Sequence, residues 1–171
     1  PGIFVFELNM NTGRLNQVGT SPYTLNPSYL FVDMKTQKLF AVNETGNESN
    51  PSGLVSVFRL TKQGRQLELI SSVSSQGSSP CYVTLDKTGR FVMCANYGSG
   101  TVAAFPLDTV GSAGTATATI RHSGKGPRPQ QGSAHAHMII QSPHSSFVYA
   151  CDLGTDNIFI YRLDTIKGLL V

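Results

Sequence analysis

The chain carries one strand pattern three times, and the spacing of the copies limits the folds that it can adopt. Each copy begins at a polar corner, runs along an apolar strand, turns, and returns along a second strand that ends in polar residues. The copies start at Asn26, Ser79 and His135, which are 53 and 56 residues apart. A third strand follows at residues 54–60, 101–107 and 157–163. A period of about 50 residues made only of short strands and turns is typical of a β-propeller, in which each repeat is one four-stranded antiparallel blade.

The repeats divide the chain among four blades. We predict an all-β fold in which residues 1–19 end a first blade, residues 26–73 form a second, residues 79–121 a third and residues 135–171 an incomplete fourth. This amounts to about three blades, whereas a propeller closes with roughly 4 to 8. An open stack of blades exposes unpaired strand edges and an apolar flank. We therefore expect a missing half of the propeller, or a second copy of the chain, to cover them.

Composition and charge exclude several kinds of partner. The formal net charge is +3, only 13% of the residues are charged, and no basic cluster interleaved with aromatic residues occurs, so we expect no nucleic-acid partner. No apolar run approaches the roughly 18 residues of a membrane span, so we expect no membrane association. Cys81, Cys94 and Cys151 lie in strand patterns without CxxC spacing, which predicts buried free thiols and a reducing, cytoplasmic compartment.

The direction of the strands places the polar corners on one rim. Because neighbouring strands of a blade are antiparallel, the start of the first strand and the end of the second lie at the same face of the propeller. A small ligand can be surrounded there, around the mouth of the central channel. We expect Glu44 and Asp152 at corresponding positions, where they could orient a histidine, bind sugar hydroxyls or remain idle. The candidates on this rim are His135, His137, Asn96, Tyr97, Glu44 and Asp152.

His135 and His137 are the candidates for catalysis. Residues two apart on a strand face the same side, so the pair could hold a metal with a third ligand such as Asp152; each histidine could also make only a structural hydrogen bond. We favour acid–base chemistry without a metal or an organic cofactor, because an ordinary imidazole accepts and returns a proton near neutral pH. His122 and His144 fall in turns or outer segments, where we expect both to be solvated.

Four further side chains could bind a substrate. The Asn96 amide could hydrogen-bond a substrate carbonyl or hydroxyl, with Tyr97 as a wall of the pocket, although the glycine-rich turn that follows also fits a purely structural role. Lys125 and Arg128 lie in a Gly/Pro-rich loop just before the histidines. Their side chains could hold a carboxylate or a phosphate, or be idle cations on the surface.

Four motifs, in this order along the chain, resemble one family. They are Asn96-Tyr97-Gly98-Ser99-Gly100, the run GKGPRPQQ at residues 124–131, His135-Ala136-His137 and the run DLGTD at residues 152–156. Together they are similar to the seven-bladed propeller lactonases, which include the propeller type of 6-phosphogluconolactonase and the fungal carboxymuconate cyclase. The resemblance covers essentially the whole chain. It implies a parent of about twice this length, of whose seven blades this chain supplies about three as the N-terminal half.

The resemblance also implies an arrangement of the active site. In the cyclase, a histidine at the start of an inner strand works with an arginine and a glutamate from the next blade. The distance to the turn residue Pro143 matches that histidine to His137. The matching arginine and glutamate would lie beyond Val171, so we expect this chain to hold only part of such a site.

The function implied is hydrolysis of a sugar-acid lactone, with 6-phosphogluconolactone as the expected substrate. His137 would take a proton from water as it attacks the ring carbonyl and return it to the leaving alkoxide, while Asn96 and a cation stabilise the oxyanion. Two alternatives stay open: a cycloisomerase of the carboxymuconate type, and a propeller that only binds a partner. An enzyme should supply the arginine and the glutamate from its next blade, whereas a binding platform need not.

Overall fold

The computed structural model describes residues 2–47 and 52–171, and these form fourteen β-strands. Residue 1 and residues 48–51, which belong to the predicted first and second blades, lie outside the described residues. Strands β1 (Phe4–Leu8) and β2 (Leu15–Thr20) pair in a two-stranded sheet. The other strands form three four-stranded sheets, β3 to β6, β7 to β10 and β11 to β14. Their bounds are β3 (Pro27–Asp33), β4 (Lys38–Asn43), β5 (Leu54–Thr61), β6 (Gln66–Ser74), β7 (Pro80–Leu85), β8 (Phe91–Asn96), β9 (Thr101–Pro106), β10 (Ala118–Arg121), β11 (Ala136–Gln141), β12 (Phe147–Asp152), β13 (Asn157–Asp164) and β14 (Leu169–Leu170).

The strand order confirms the predicted all-β fold of four-stranded antiparallel blades. Within each sheet every strand pairs antiparallel with the next strand along the chain. The third strands β5, β9 and β13 begin at the predicted residues and end within one residue of the predicted ends. The place of these sheets within a longer propeller stays a prediction. Within the described residues, no helix is long and apolar enough to cross a membrane.

Apolar packing between neighbouring sheets holds the blades together. In β8, Val92 and Cys94 pack with residues of the β3–β6 sheet, while Met93 and Ala95 pack with residues of the β11–β14 sheet. All four side chains are fully buried. Burial of a Val or Met side chain contributes about 1.5–3 kcal/mol. Because both faces of the strand are covered, residues 91–95 are all apolar and do not alternate as in a half-exposed strand.

The β11–β14 sheet and the β1–β2 sheet each present an uncovered apolar face. On the β11–β14 sheet, Ile158 and Ile160 are 63% and 61% exposed, and Ile140 and Phe147 lie on the same face. The other exposed face is formed by Phe4 and Phe6 of β1 together with Leu30 and Val32 of β3. An apolar surface of this kind is typical of a region that contacts another protein segment.

We expect the isolated 171-residue chain to self-associate through these faces, because their apolar side chains and open strand edges have no cover. Sedimentation velocity over a range of concentrations should show mass that rises with concentration. The double variant Ile158→Lys, Ile160→Lys should reduce this association, while Val110→Lys, at an exposed site outside both faces, should not. A monomer whose sedimentation is independent of concentration, and which unfolds cooperatively, would contradict the expectation.

Candidate active site

The first strand of each four-stranded blade begins with the same β-bulge. The pairing shifts between Pro27 and Tyr29 in β3, between Pro80 and Tyr82 in β7, and between Ala136 and Met138 in β11. The extra residues at these three equivalent positions are Ser28, Cys81 and His137. A bulge redirects a side chain out of the regular ladder and is common beside active sites. His137 is therefore the bulge residue of its blade, on the rim that the strand directions predict.

The second strand of each blade ends in a buried polar residue. Asn43, Asn96 and Asp152 pair with Pro27, Pro80 and Ala136, respectively. Their side chains are turned into the protein, where they bind the segment that arrives from the preceding blade. In the first of these blades, Asn43 Nδ2 donates to Thr24 Oγ1 at 2.7 Å and to the Leu25 carbonyl oxygen at 2.6 Å.

This register corrects the predicted equivalence of Glu44 and Asp152. The residue equivalent to Glu44 in the last blade is Leu153, because the backbone N–H groups of both donate to the corner residue of their own blade. Glu44 N–H donates to the Asn26 carbonyl at 2.9 Å, and Leu153 N–H donates to the His135 carbonyl at 3.0 Å. The sequence prediction was therefore wrong by one position, because Asn43, and not Glu44, pairs with the residue of its blade that is equivalent to Ala136.

Asn96 also differs from its predicted role. Its side chain is fully buried, and Nδ2 donates to the Ser75 carbonyl oxygen and to Thr101 Oγ1, both at 2.9 Å. The Asn96 amide therefore binds the interior of the blade and does not reach the rim surface. The next residue, Tyr97, lies on the rim itself.

Tyr97 brings the two candidate histidines together. Its ring stacks on the His135 ring, with centroids 4.5 Å apart and planes 13° apart, and it meets the His137 ring edge-on at 5.8 Å. His135 Nδ1 lies 3.0 Å from the Tyr97 carbonyl oxygen, and because a carbonyl only accepts, His135 Nδ1–H is the donor. His135 is thus held in place by its stacking and its hydrogen bond.

His137 is exposed and differs from His135 in its contacts. Its backbone carbonyl lies 3.5 Å from Cys81 Sγ, which anchors the bulge to the neighbouring blade. Across residues 2–47 and 52–171, neither ring nitrogen of His137 hydrogen-bonds a protein group. Of the two histidines, His137 is the more exposed, and it lacks the hydrogen bond to a described residue that holds the His135 ring.

The metal alternative does not fit this arrangement. The described part of the chain contains no group of three or more His, Cys, Asp or Glu side chains that could hold a metal ion. The His135 ring lies flat against Tyr97, and the Asp152 carboxylate is buried and directed at His122. Two of the three residues that could have chelated a metal together, His135 and Asp152, are therefore held by different partners.

His122 is buried, which overturns the prediction that it is solvated. Its Nδ1 lies 2.7 Å from Asp152 Oδ2, and its Nε2 lies 2.7 Å from the Tyr161 hydroxyl oxygen. The ring also stacks on Phe159, with centroids 3.8 Å apart. The side chains of His122 and Asp152 are 1% and 0% exposed. His144 is exposed, as predicted.

The surroundings of the Asp152 carboxyl and the Tyr161 hydroxyl determine whether each of them is charged. Burial by itself raises the pKa of the Asp152 carboxyl. Hydrogen bonds from His135 N–H and from His122, the charge of His122 and a hydrogen bond from Thr155 N–H outweigh that effect and hold the pKa of Asp152 below its ordinary value. Burial, followed by the Asp152 charge, raises the pKa of Tyr161 to about 12. At neutral pH the carboxylate is ionised and the phenol is protonated.

The motif at residues 152–156 builds the corner that carries the histidines. Asp152 Oδ1 accepts the His135 and Thr155 N–H groups at 2.9 and 3.0 Å. Gly154 passes so close to the corner that an added Cβ would lie 1.8 Å from the Ser133 carbonyl oxygen. Only glycine avoids that clash, which explains its place in the motif.

The loop before the histidines is anchored by Gln131, a residue that the sequence reading missed. Gln131 is buried; its Oε1 accepts the Arg128 N–H at 3.0 Å, and its Nε2 donates to the Leu153 carbonyl at 2.9 Å and to Asp156 Oδ1 at 2.5 Å. Lys125 and Arg128 are exposed on this loop. Their binding of an anion stays a prediction.

A cleft of about 410 Å³ adjoins His137 at the edge of the uncovered face of the β11–β14 sheet. It is lined by His137, Met138, Cys151, Asp152, Leu153, Asp156, Asn157 and Ile158. A further blade packed on this face would close the cleft. His137 would then border the next blade, from which the family resemblance leads us to expect an arginine and a glutamate.

The three cysteines are free thiols in different surroundings. Cys94 is buried, but Cys151 is exposed on the uncovered face, so the prediction of burial was wrong for that residue. Cys81 is partly buried beside the His137 carbonyl. Burial, with a smaller effect from the Glu44 charge, raises the pKa of the Cys81 thiol to about 11. Cys81 is therefore protonated at neutral pH and is a poor nucleophile.

Comparisons with known proteins agree with this geometry. The model of the family described as "Lactonase, 7-bladed beta-propeller" matches residues 1–171. The chain is 30% identical to the 6-phosphogluconolactonase of Bacillus subtilis over 162 residues, which are 95% of this chain and 45% of that protein. The chain belongs to the seven-bladed β-propeller lactonase family.

Two solved structures superpose on almost the whole chain. The Pseudomonas aeruginosa periplasmic gluconolactonase superposes with a TM-score of 0.88 at 28% identity, over 98% of this chain and 48% of that one. A protein from Lactobacillus plantarum superposes with a TM-score of 0.83 at 28% identity, over 98% of this chain and 46% of that one. The chain thus spans about half the length of the relatives that it matches.

The lowered pKa of Asp152 predicts how stability depends on pH. Because the pKa is lower in the folded state than the ordinary value of 3.8, the stabilisation from ionised Asp152 is complete above about pH 4 and is lost as the pH falls through the folded-state pKa. Thermal unfolding between pH 7 and pH 2 should show a smaller acid-induced fall in Tm for Asp152→Asn than for the wild type. Equal falls in both proteins would contradict the assignment.

Proposed function

We propose that the protein containing this chain hydrolyses the ring ester of a sugar-acid lactone, with 6-phosphogluconolactone as substrate and His137 as general base. The observation that carries the proposal is the state of His137: an exposed imidazole on a bulge, bordering a cleft, with both ring nitrogens free of hydrogen bonds to the described residues. Family membership and the names of the Bacillus subtilis and Pseudomonas aeruginosa relatives support the reaction class.

The reaction requires one proton to be moved twice. His137 accepts a proton from water as the water oxygen adds to the lactone carbonyl carbon, which gives a tetrahedral oxyanion. When the oxyanion collapses, the bond from the carbonyl carbon to the ring oxygen breaks. The protonated His137 then returns its proton to the departing oxygen, so the products are a hydroxyl group and a carboxylic acid, which ionises in water.

Tyr97 and the expected next blade supply the remaining functions. The edge-on contact of Tyr97 limits the orientation of the His137 ring without occupying either nitrogen. The buried Asn96 amide is no longer our candidate for the oxyanion. A cationic side chain would instead stabilise the oxyanion. It is either the arginine that the family resemblance places in the next blade or Arg128 of this chain. An oriented cation beside the developing oxyanion lowers the barrier by several kcal/mol.

The cytoplasmic location stays a prediction that rests on the three free thiols. One structural relative is named as a periplasmic enzyme. Fractionation of the producing cells, followed by detection of the full-length protein, would decide between the two compartments.

In the full-length protein, His137→Gln should preserve the fold and most of the substrate binding but lower kcat by roughly 10²- to 10⁴-fold, the usual contribution of general acid–base catalysis. The wild-type rate should fall as the pH becomes acidic, because a protonated imidazole cannot accept a proton. Acid release from 6-phosphogluconolactone, corrected for spontaneous hydrolysis, gives the rate. His144→Gln, at an exposed turn, is the matched control.

Two results would count against the proposal. If the His137→Gln variant has the same kcat as the wild type, His137 has no part in the mechanism. Failure of the full-length wild type to open 6-phosphogluconolactone, gluconolactone or a muconate lactone would favour a binding platform. Preference for gluconolactone over its phosphorylated form would retain the reaction but change the substrate.

A further inference from the structure

A buried ionisable pair occurs in the blade that carries His137, where the other two complete blades have neutral groups. The second strand ends in Asn43 in one blade and Asn96 in the next, but in Asp152 in the β11–β14 sheet. All three residues are nearly or fully buried. An amide therefore occupies this position in two blades, but Asn43 Oδ1 accepts from Ser56 and Asn96 Oδ1 has no hydrogen-bond partner among the described residues, so neither holds the corner N–H of its blade. The carboxylate of Asp152 calls for another explanation.

The hydrogen-bond partner of Asp152 also differs from the partner of Asn96. The backbone N–H of Ser75 donates to the Gly53 carbonyl, and that of His122 donates to the Gly100 carbonyl, both at 2.8 Å, so Ser75 and His122 occupy equivalent positions between blades. Asn96 Nδ2 bonds the Ser75 backbone carbonyl, whereas Asp152 bonds the His122 side chain. A bond between an amide and a carbonyl is thus replaced by one between a carboxylate and an imidazole.

The Asp152 carboxylate reaches the corner on one side and His122 on the other. Its Oδ1 accepts the N–H of His135, two residues before His137, at 2.9 Å. Its Oδ2 lies 2.7 Å from His122 Nδ1. A charged acceptor makes a hydrogen bond roughly twice as strong as a neutral one, so Asp152 holds this backbone more firmly than an asparagine would.

His122 is itself held on every side that the structure describes. Tyr161 lies 2.7 Å from Nε2, Phe159 stacks on the ring at 3.8 Å, and the side chain is 1% exposed. Because the ionised Asp152 carboxylate only accepts, His122 Nδ1–H is the donor of the bond to Oδ2. The carboxylate is therefore oriented from behind by a ring that cannot rotate freely.

We propose that Asp152 and His122 are positioning residues that fix the corner of residues 135–137, so that the His137 imidazole keeps the geometry needed for proton transfer. This inference rests on the proposed function of His137. Neither residue needs to touch the substrate. A displacement of about 1 Å at a catalytic group can cost up to 10²-fold in rate, which is the scale of the effect expected here.

The first test is the variant Asp152→Asn in the full-length protein. Asparagine occupies the equivalent position in two blades of the same fold, so the variant should fold. We expect kcat to fall about 10- to 100-fold, with KM within about twofold of the wild-type value, at a temperature well below Tm. Wild-type kcat in the folded variant would overturn the proposal.

A pair of substitutions separates positioning from packing. In His122→Asn the shorter amide can still donate to Asp152 from near the position of Nδ1, whereas His122→Leu fills the space without a donor. We expect His122→Asn to retain at least fivefold more kcat than His122→Leu. Equal kcat in two folded variants would show that only packing matters. His144→Gln is the control.

A readout without turnover covers the case in which the proposed function fails. The Cε1–H resonances of the four histidines can be assigned with single His→Gln variants and compared between wild type and Asp152→Asn by NMR. We expect the His137 resonance to shift or broaden and the His144 resonance to stay unchanged. An unaltered His137 resonance would overturn the positioning role, whether or not the wild type hydrolyses a lactone.

Discussion

The packing of blade against blade is the constraint on which the rest of the structure depends. In strand β8, Val92 and Cys94 belong to one apolar cluster, and Met93 and Ala95 belong to another. Neither face of this strand can therefore carry a polar side chain that contacts a ligand. Polar residues are displaced to the strand ends. Because the strands are antiparallel, the corner before each first strand and the end of each second strand meet on one rim. The site follows from a packing requirement.

Each four-stranded blade builds its part of the rim in the same way but with different residues. A buried polar side chain at the end of the second strand holds the incoming segment, and a bulge turns the next rim residue outward. The bulge residue is Ser28, Cys81 or His137, and only the last carries an imidazole, the side chain most often used in acid–base catalysis. The repeat thus supplies a common scaffold, while the proposed chemistry arises where one blade departs from the others.

Sequence reasoning found the parts of this account that depend on period and direction. The third strands were placed to within one residue, and His137 and Tyr97 were placed on one rim. It failed where one residue decides between rim and interior. Successive side chains of a strand point to opposite faces, so Asn96 points inward beside Tyr97 on the rim, and Glu44 is equivalent to Leu153 and not to Asp152. His122 was missed because its partners, Asp152 and Tyr161, lie in the next blade and leave no local pattern.

The central claim is that His137 is the group on this rim that meets the ligand. The most direct measurement is a titration of the full-length protein with the reaction product, 6-phosphogluconate, followed through the assigned Cε1–H resonances of its histidines. The account predicts a saturable shift of the His137 resonance, with His144 unchanged and His122 little affected in its buried position. Saturable binding that leaves the His137 resonance unmoved would contradict it.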